Sequence, residues 1–579
     1  MKRFVACVLS WVVLGVGVGC GDEDPPVVGK TTDTTHSPPP PIIAGTNNDK
    51  DKDEEPAEEE PDDPNAIPLA LALASQKPSS PMDVSAFTFT ALVSGFESRT
   101  DAEKVSLKIA PVNGLTMLPK GTVEGNTKRF NVTIQYDDPA KVGCGEVNIS
   151  VTLDTLPEGY KYRSGAVTIP IPLVIHGATR ACRIEVDSSN IEDFNKYANT
   201  PNGAKLHYVL MEDVELTTPP LGQSNWTPIG IQSNASGSYA LTGSFDGNGF
   251  TISNLVIAGS GIARGMFGRI AGDAVIENLG LTELNVKGTQ DIGGLVGQKT
   301  AGTVRNCHVT GNVSGASSSV GGLVGINELG TVENSYVEVT VSNTHSYTGG
   351  LVGSNFGLVR NCYATGSVTG TGASSTYVGG VVGSNSGTVK DCYSTGDVKS
   401  INDSVGGVVG YNLTAGKVEN CYATGKVVNN SGNNSIQTGG IVGSVYASEV
   451  RNCVALNPSV TSRMSSSQAS SYTGRIVGQN SQTFVNNHAR DDMNIRYAVI
   501  EGSSPGTEKN FNISGPTNVA HRMDGADVAA DEYGTQLFWE TTMGWSFSET
   551  GAWKWNSDTQ LPILRRVGGD QNHEVQLSR

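Results

Sequence analysis

Charge is scarce in this chain. Asp, Glu, Lys and Arg make up 17 % of its 579 residues, and aromatics 6 %. An ordinary soluble domain carries about 25 % charged residues. That poverty argues against a helical enzyme and favours turn-rich all-β structure. Basic residues are outnumbered, 40 Lys and Arg against 57 Asp and Glu, for a net charge of −17. No cationic face is available to release counterions from phosphates, so nucleic acid is not expected as a partner. Beyond the first twenty residues no apolar run is long enough to cross a bilayer as a helix. His is rare, with 8 residues. The one start of a zinc-protease H-E-x-x-H, His573-Glu574-Val575-Gln576-Leu577, lacks the second His. What is abundant is Gly, 71 residues or about 12 %. It follows no Gly-X-Y register, which excludes collagen.

The N-terminus, MKRFVACVLSWVVLGVGVGC, places Lys2 and Arg3 before an apolar run ending in small residues and Cys20. This is the pattern of a secretory signal, residues 1–20. Gly17 to Cys20 resembles the lipobox of bacterial lipoproteins, with Gly17 where Leu is usual. The resemblance implies that Cys20 is acylated and becomes the anchored N-terminus. The following Gly21-Asp22-Glu23-Asp24 resembles the surface-export signal of Bacteroides-group lipoproteins, which implies an outer-membrane lipoprotein facing outward. The membrane partner would then be reached through acyl chains alone.

Residues 21–80 hold 14 Asp/Glu and 4 Lys with many Pro and Thr. Such a segment cannot bury enough apolar surface to offset its ordering entropy, and reads as an extended tether. Residues 81–184 change to alternating runs, among them Phe87 to Val93, Val105 to Val112, Arg129 to Tyr136, Glu146 to Leu153 and Val167 to Ile175. Short strands with turns between them predict a small Ig-like β-sandwich acting as a spacer. Cys144 and Cys182 are its only cysteines and are candidates for a disulfide in an exported domain.

The remainder repeats. GGLVG opens at Gly293, Gly321 and Gly349, GGVVG at Gly379 and Gly406, GGIVG at Gly439 and GRIVG at Gly474. The spacings are 28, 28, 30, 27, 33 and 35 residues, and an eroded copy sits at Gly265. A period near 28 without helix-forming runs fits one coil of a β-solenoid with about three short strands. The expected fold is therefore all-β: a right-handed β-helix over 263–500, an N-terminal capping region over 185–262, a C-terminal cap over 501–579, and the β-sandwich in front.

A solenoid turns repeated positions into files about 4.8 Å apart. One file reads Asn306, Asn334, Asn361, Asp391, Asn420, Asn452, Asn486, residues that tolerate left-handed backbone at a corner and can pair their amides from coil to coil. The next file is Cys307, Ser335, Cys362, Cys392, Cys421, Cys453, Asn487. Single-file cysteines do not offer the four converging ligands of a zinc site, so inward packing is expected, with pairing of adjacent rungs the alternative. Before the Asn file runs a charge file, Arg305, Glu333, Arg360, Lys390, Glu419, Arg451, with one like-signed step at Arg360–Lys390. After the Cys file come Tyr336, Tyr363, Tyr393 and Tyr422, flanked by His308 and His488. Alternation points these tyrosines outward. They form either a flat ligand-binding strip or an aromatic file that stiffens one face.

Gly294-Leu295-Val296-Gly297, Gly322-Leu323-Val324-Gly325 and Gly350-Leu351-Val352-Gly353 resemble the GLUG motif of bacterial surface and adhesin-like proteins. The flanks fit the same likeness: a short helix at Ile191 to Ala198, Asn225 to Gly230, Phe245 to Leu255, and a Trp-rich tail from Phe538 to Leu564. The resemblance implies surface display and adhesion to a glycan or a host protein. It transfers no catalytic residue, metal ligand or cofactor. A carbohydrate-active β-helix enzyme and a ligand-free stalk are the alternatives. The enzyme requires clustered carboxylates, and in the repeats Asp and Glu occur singly.

Overall fold

The computed structural model describes residues 67–74, 87–111, 115–136, 146–147, 151–162, 173–174 and 183–575, the last span without 232, 235–236, 373–376, 402, 432–435, 465–472, 480–483, 500–507, 512–522 and 574. The chain divides into Met1–Pro64 and Asn65–Arg579, and every described residue belongs to the second unit. The signal, Cys20, and the disulfide candidates Cys144 and Cys182 lie outside the described residues.

Alternating apolar residues make the first domain two-layered. One sheet runs in the order Leu115–Glu124, Thr127–Tyr136, Phe87–Ser94, Ile67–Ala74, Tyr160–Tyr162, and Ser106–Ile109 pairs with Val151–Thr155 in a second. Phe89, Ala91 and Val93 point inward beside Phe130 and Val132, and meet Leu107 and Val151 from the other pair. Ile67–Ala74, which the charge-based boundary assigns to the tether, is a strand antiparallel to Phe87–Ser94. Its eight-residue apolar run outweighs the acidic residues before it.

From Ile184 onward one strand of each coil lies parallel on the next: Ile184–Val186, His207–Leu210, Ser244–Asp246, Val275–Glu277, Thr303–Arg305. A representative coil has Gln290–Gly293, Val296–Lys299, Thr303–Arg305 and His308–Gly315. The first two belong to separate eight-stranded parallel sheets, and the last two share the third and largest sheet. Three faces arise from four strands because the third face bends at the Asn file. Every member from Asn306 to Asn486 has φ between 49° and 53°, and so does Asn278 one coil earlier. The paired glycines answer a close approach: a Cβ on Gly350 would lie 2.0 Å from the Gly380 carbonyl oxygen of the next coil. Leu295, Leu323, Leu351, Val381 and Val408 fill the interior, fully buried.

The N-terminal end is closed. The helix Ile191–Ala198 buries Ile191, Phe194 and Ala198 on one face. Phe194 packs 4.8 Å from Tyr208 and 5.2 Å from Phe245 by ring centroids, covering the apolar end of the stack. The parallel ladder continues to Ala526–Val528, beyond the expected limit of 500. The chain then turns back as Ala530–Tyr533, Phe538–Thr542 and the hairpin Trp553–Asn556 with Leu561–Leu564.

Candidate functional site

The tyrosine file forms as spaced, but it is not an exposed strip. Tyr336, Tyr363, Tyr393 and Tyr422 pair in register. Their rings stack in parallel at 4.9, 4.9 and 4.8 Å, with His308 continuing the stack 5.0 Å from Tyr336. They point away from the solenoid interior, as alternation requires. The returning C-terminal segment then covers them: Trp539, Trp545 and Trp553 pack on Tyr422. Tyr363, Tyr393 and Tyr422 are fully buried. Their hydroxyls donate to Gly568 O at 2.9 Å, Gln571 Oε1 at 3.1 Å and Pro562 O at 2.9 Å. Burial pushes all three phenols well up from their ordinary range. The cover has a simple cause: a polar-tipped aromatic file is a good docking face for an indole-rich tail, and this chain carries its own. His573 of the incomplete protease motif lies on the same strip, 6.2 and 6.1 Å from Tyr363 and Tyr393.

The other files are structural. Cys307, Cys362, Cys392, Cys421 and Cys453 are buried free thiols. Cys362 Sγ donates to Arg360 O at 3.1 Å, and Ser335 Oγ makes the same bond to Glu333 O at 2.8 Å. Burial pushes the Cys307 thiol up to about 12. In the Asn file Nδ2 groups donate to the Oδ1 below: Asn306 to Asn278 at 2.9 Å, Asn361 to Asn334 at 3.1 Å, Asn420 to Asp391 at 2.9 Å. The charge file pairs Arg305 with Glu277 at 2.5 Å, Arg360 with Glu333 at 2.6 Å and Arg451 with Glu419 at 2.7 Å. Glu277 extends that file one coil earlier than the repeats alone indicate.

Three arrangements escape a reading of one motif string. A second amide file, wholly buried, runs Asn327–Asn355–Asn385–Asn412 with Nδ2···Oδ1 distances of 2.7, 2.8 and 2.7 Å. Its signal is the Asn two residues after the motif's last Gly. Lys299 takes that position in the coil before. It is buried, donates to Asn327 Oδ1 at 2.8 Å, and desolvation pushes its ammonium down to about 7. On the outside, Tyr347, Tyr377 and Tyr411 adjoin with ring separations of 5.7 and 4.7 Å, all part-exposed, and Tyr446 is 58 % exposed. Finally, a cavity of about 270 Å³ opens where the C-terminal segment meets the charge file near Lys390 and Asp391.

Stacked parallel coils, amide files and an N-terminal helical cap place the chain in the class of β-solenoid repeat proteins. Residues 288–314, 316–342, 344–369, 374–399 and 402–428 each match the GLUG motif, so these coils are GLUG repeats. The same strand pattern continues into the coils opened by Gly265, Gly439 and Gly474. Over 131 residues the chain is 34 % identical to halomucin of Haloquadratum walsbyi, a match spanning 22 % of this chain and 1 % of halomucin. It thus spans about a hundredth of that relative's length. A solved structure of a candidate immunoglobulin A1 protease from Bacteroides ovatus aligns at 18 % identity and a TM-score of 0.36, covering 68 % of this chain and 94 % of that one.

Proposed function

We propose that this chain is a surface-displayed lipoprotein, anchored through Cys20 at the outer membrane, whose GLUG solenoid is an adhesive module for an extracellular glycan or host protein. The observation that carries this reading is the part-exposed aromatic strip Tyr347–Tyr377–Tyr411 leading to Tyr446. Adjoining phenol faces on a rigid sheet give sugar rings or apolar side chains a surface to stack on. The similarity of the repeats to part of halomucin supports a surface-type repeat protein. A binding rather than catalytic role is supported by how the acids of the charge file are used. Glu277, Glu333 and Glu419 are each engaged by an arginine of the next coil, which ties up carboxylates that hydrolysis of a glycosidic bond would need as acid and base.

The test is retention of bead-bound full chain on glycan and matrix-protein arrays, for wild type and for the Tyr377→Ala/Tyr411→Ala double variant. The expected result is retention on a definable ligand class, weakened about tenfold or more by the double substitution because two stacking rings are lost. Shortening of a glycan, or cleavage of a protein ligand, by the wild-type chain would establish an enzyme instead.

A further inference from the structure

One coil breaks both polar files at once. Where its neighbours carry Arg or Glu followed by Asn, this coil carries Lys390 followed by Asp391. In the charge file, Lys390 lies in register between Arg360 and Glu419. Glu333 is taken by Arg360 and Glu419 by Arg451, so Lys390 makes no ion pair among the described residues. In the amide file, Asp391 has no N–H to offer Asn361 Oδ1. Its own Oδ1 instead accepts from Asn420 Nδ2 at 2.9 Å and from Trp553 Nε1 at 3.4 Å. Burial pushes its carboxyl up.

The cavity of about 270 Å³ lies at this double break. The solenoid supplies Lys390, Asp391 and the Asn361 amide, and the C-terminal segment supplies Thr550 and Arg566. Arg566 likewise makes no ion pair among the described residues. With Arg360 and Glu333 cancelling each other, two cations outside any ion pair, Lys390 beside the Asp391 charge and Arg566 on the returning segment, share one carboxylate, an amide and a hydroxyl. The volume is just below the ~300 Å³ at which pockets for drug-sized ligands begin, room for a single ring and its substituents.

We propose that this cavity binds an acidic sugar residue, its carboxylate held between Lys390 and Arg566 and its hydroxyls by Asp391, Asn361 and Thr550. Two separate cations on a polar floor suit a singly charged carboxylate that accepts from both. The carboxylate already in the wall, Asp391, offsets one of the two cations and so disfavours a doubly charged phosphate. The inference refines the adhesive reading by naming a ligand class. It uses a surface other than the Tyr347–Tyr377–Tyr411 strip, so the two can fail separately.

The test is calorimetric titration of the full chain with glucuronate, galacturonate and N-acetylneuraminate glycosides and with their carboxyl-reduced counterparts. Wild type is expected to prefer at least one acid over its reduced form by about tenfold, the size of one charge-assisted hydrogen bond. Added salt weakens that preference. Lys390→Gln and Arg566→Gln should each abolish it, Lys390→Arg should keep it, and Lys554→Gln, on the same segment but outside the cavity, should leave it unchanged. Equal binding of acid and reduced sugars, or a preference that survives both glutamine variants, overturns the proposal. Array retention that ignores Lys390 and Arg566 but falls with the tyrosine double variant overturns the cavity and leaves adhesion standing.

Discussion

At the scale of single residues, the interior amide file shows how an all-β stack tolerates polar groups in its core. Each of Asn327, Asn355, Asn385 and Asn412 is buried, and each Oδ1 accepts from the side chain of the preceding coil. Asn385→Ala removes the donor to Asn412 Oδ1 and the acceptor of Asn355 Nδ2. A loss of about 2–4 kcal/mol is expected, read from urea denaturation, since a buried group left unpaired costs its full desolvation. Lys299 caps this file with a cation in a dry site. Its native pKa, about 7, lies below its unfolded value of 10.5. Its contribution to stability is therefore complete above pH 10.5 and is lost as pH falls towards 7. Lys299→Asn extends the amide file by one member. The variant should be more stable than wild type at pH 7, with the difference shrinking as pH rises to 10.

The tyrosines belong to the scale of elements, because their state depends on the C-terminal cap. Tyr363, Tyr393 and Tyr422 have phenols raised above their unfolded value. Their contribution to stability is present below about pH 10 and is lost as pH climbs beyond it. A phenolate absorbance titration should leave these three silent at pH values where exposed tyrosines have ionised. Trp553 is buried against Tyr393, Tyr422 and Trp545. Trp553→Ala should cost about 3–5 kcal/mol and bring the Tyr393 and Tyr422 phenols down towards the ordinary titration range. An unchanged phenolate titration in that variant would contradict the cap's role.

The same scale shows what a sequence reveals of such a protein. Periodic features were legible: the coil, its Asn corner, the pairing in the charge file, and the outward direction of Tyr363 and Tyr393 follow from spacing and alternation. The cover over those tyrosines was not, because Trp545, Trp553 and Gly568 lie in a non-repeating tail with no register against the coils. The cavity at Lys390 was half legible. The like-signed step marks an unmatched cation, but Arg566 reaches it only through the tertiary return of the chain. Ile67–Ala74 was missed because the acidic run before it dominates the local composition.

For the whole molecule, stability and any display role rest on one statement: each unit of about 28 residues makes one turn about a common axis. From Thr303 the register passes through Thr331, Leu358, Thr388 and Lys417 to Glu449. Five steps at the spacing of adjacent strands amount to about 24 Å, although 146 residues separate the two ends in sequence. The direct test is a pulsed electron-spin distance measurement on Thr303→Cys/Glu449→Cys, with the five buried cysteines kept and the other four replaced by serine. The account predicts a single narrow population near 24 Å, broadened only by the label tethers. A broad distribution, or one centred far beyond that distance, would contradict it.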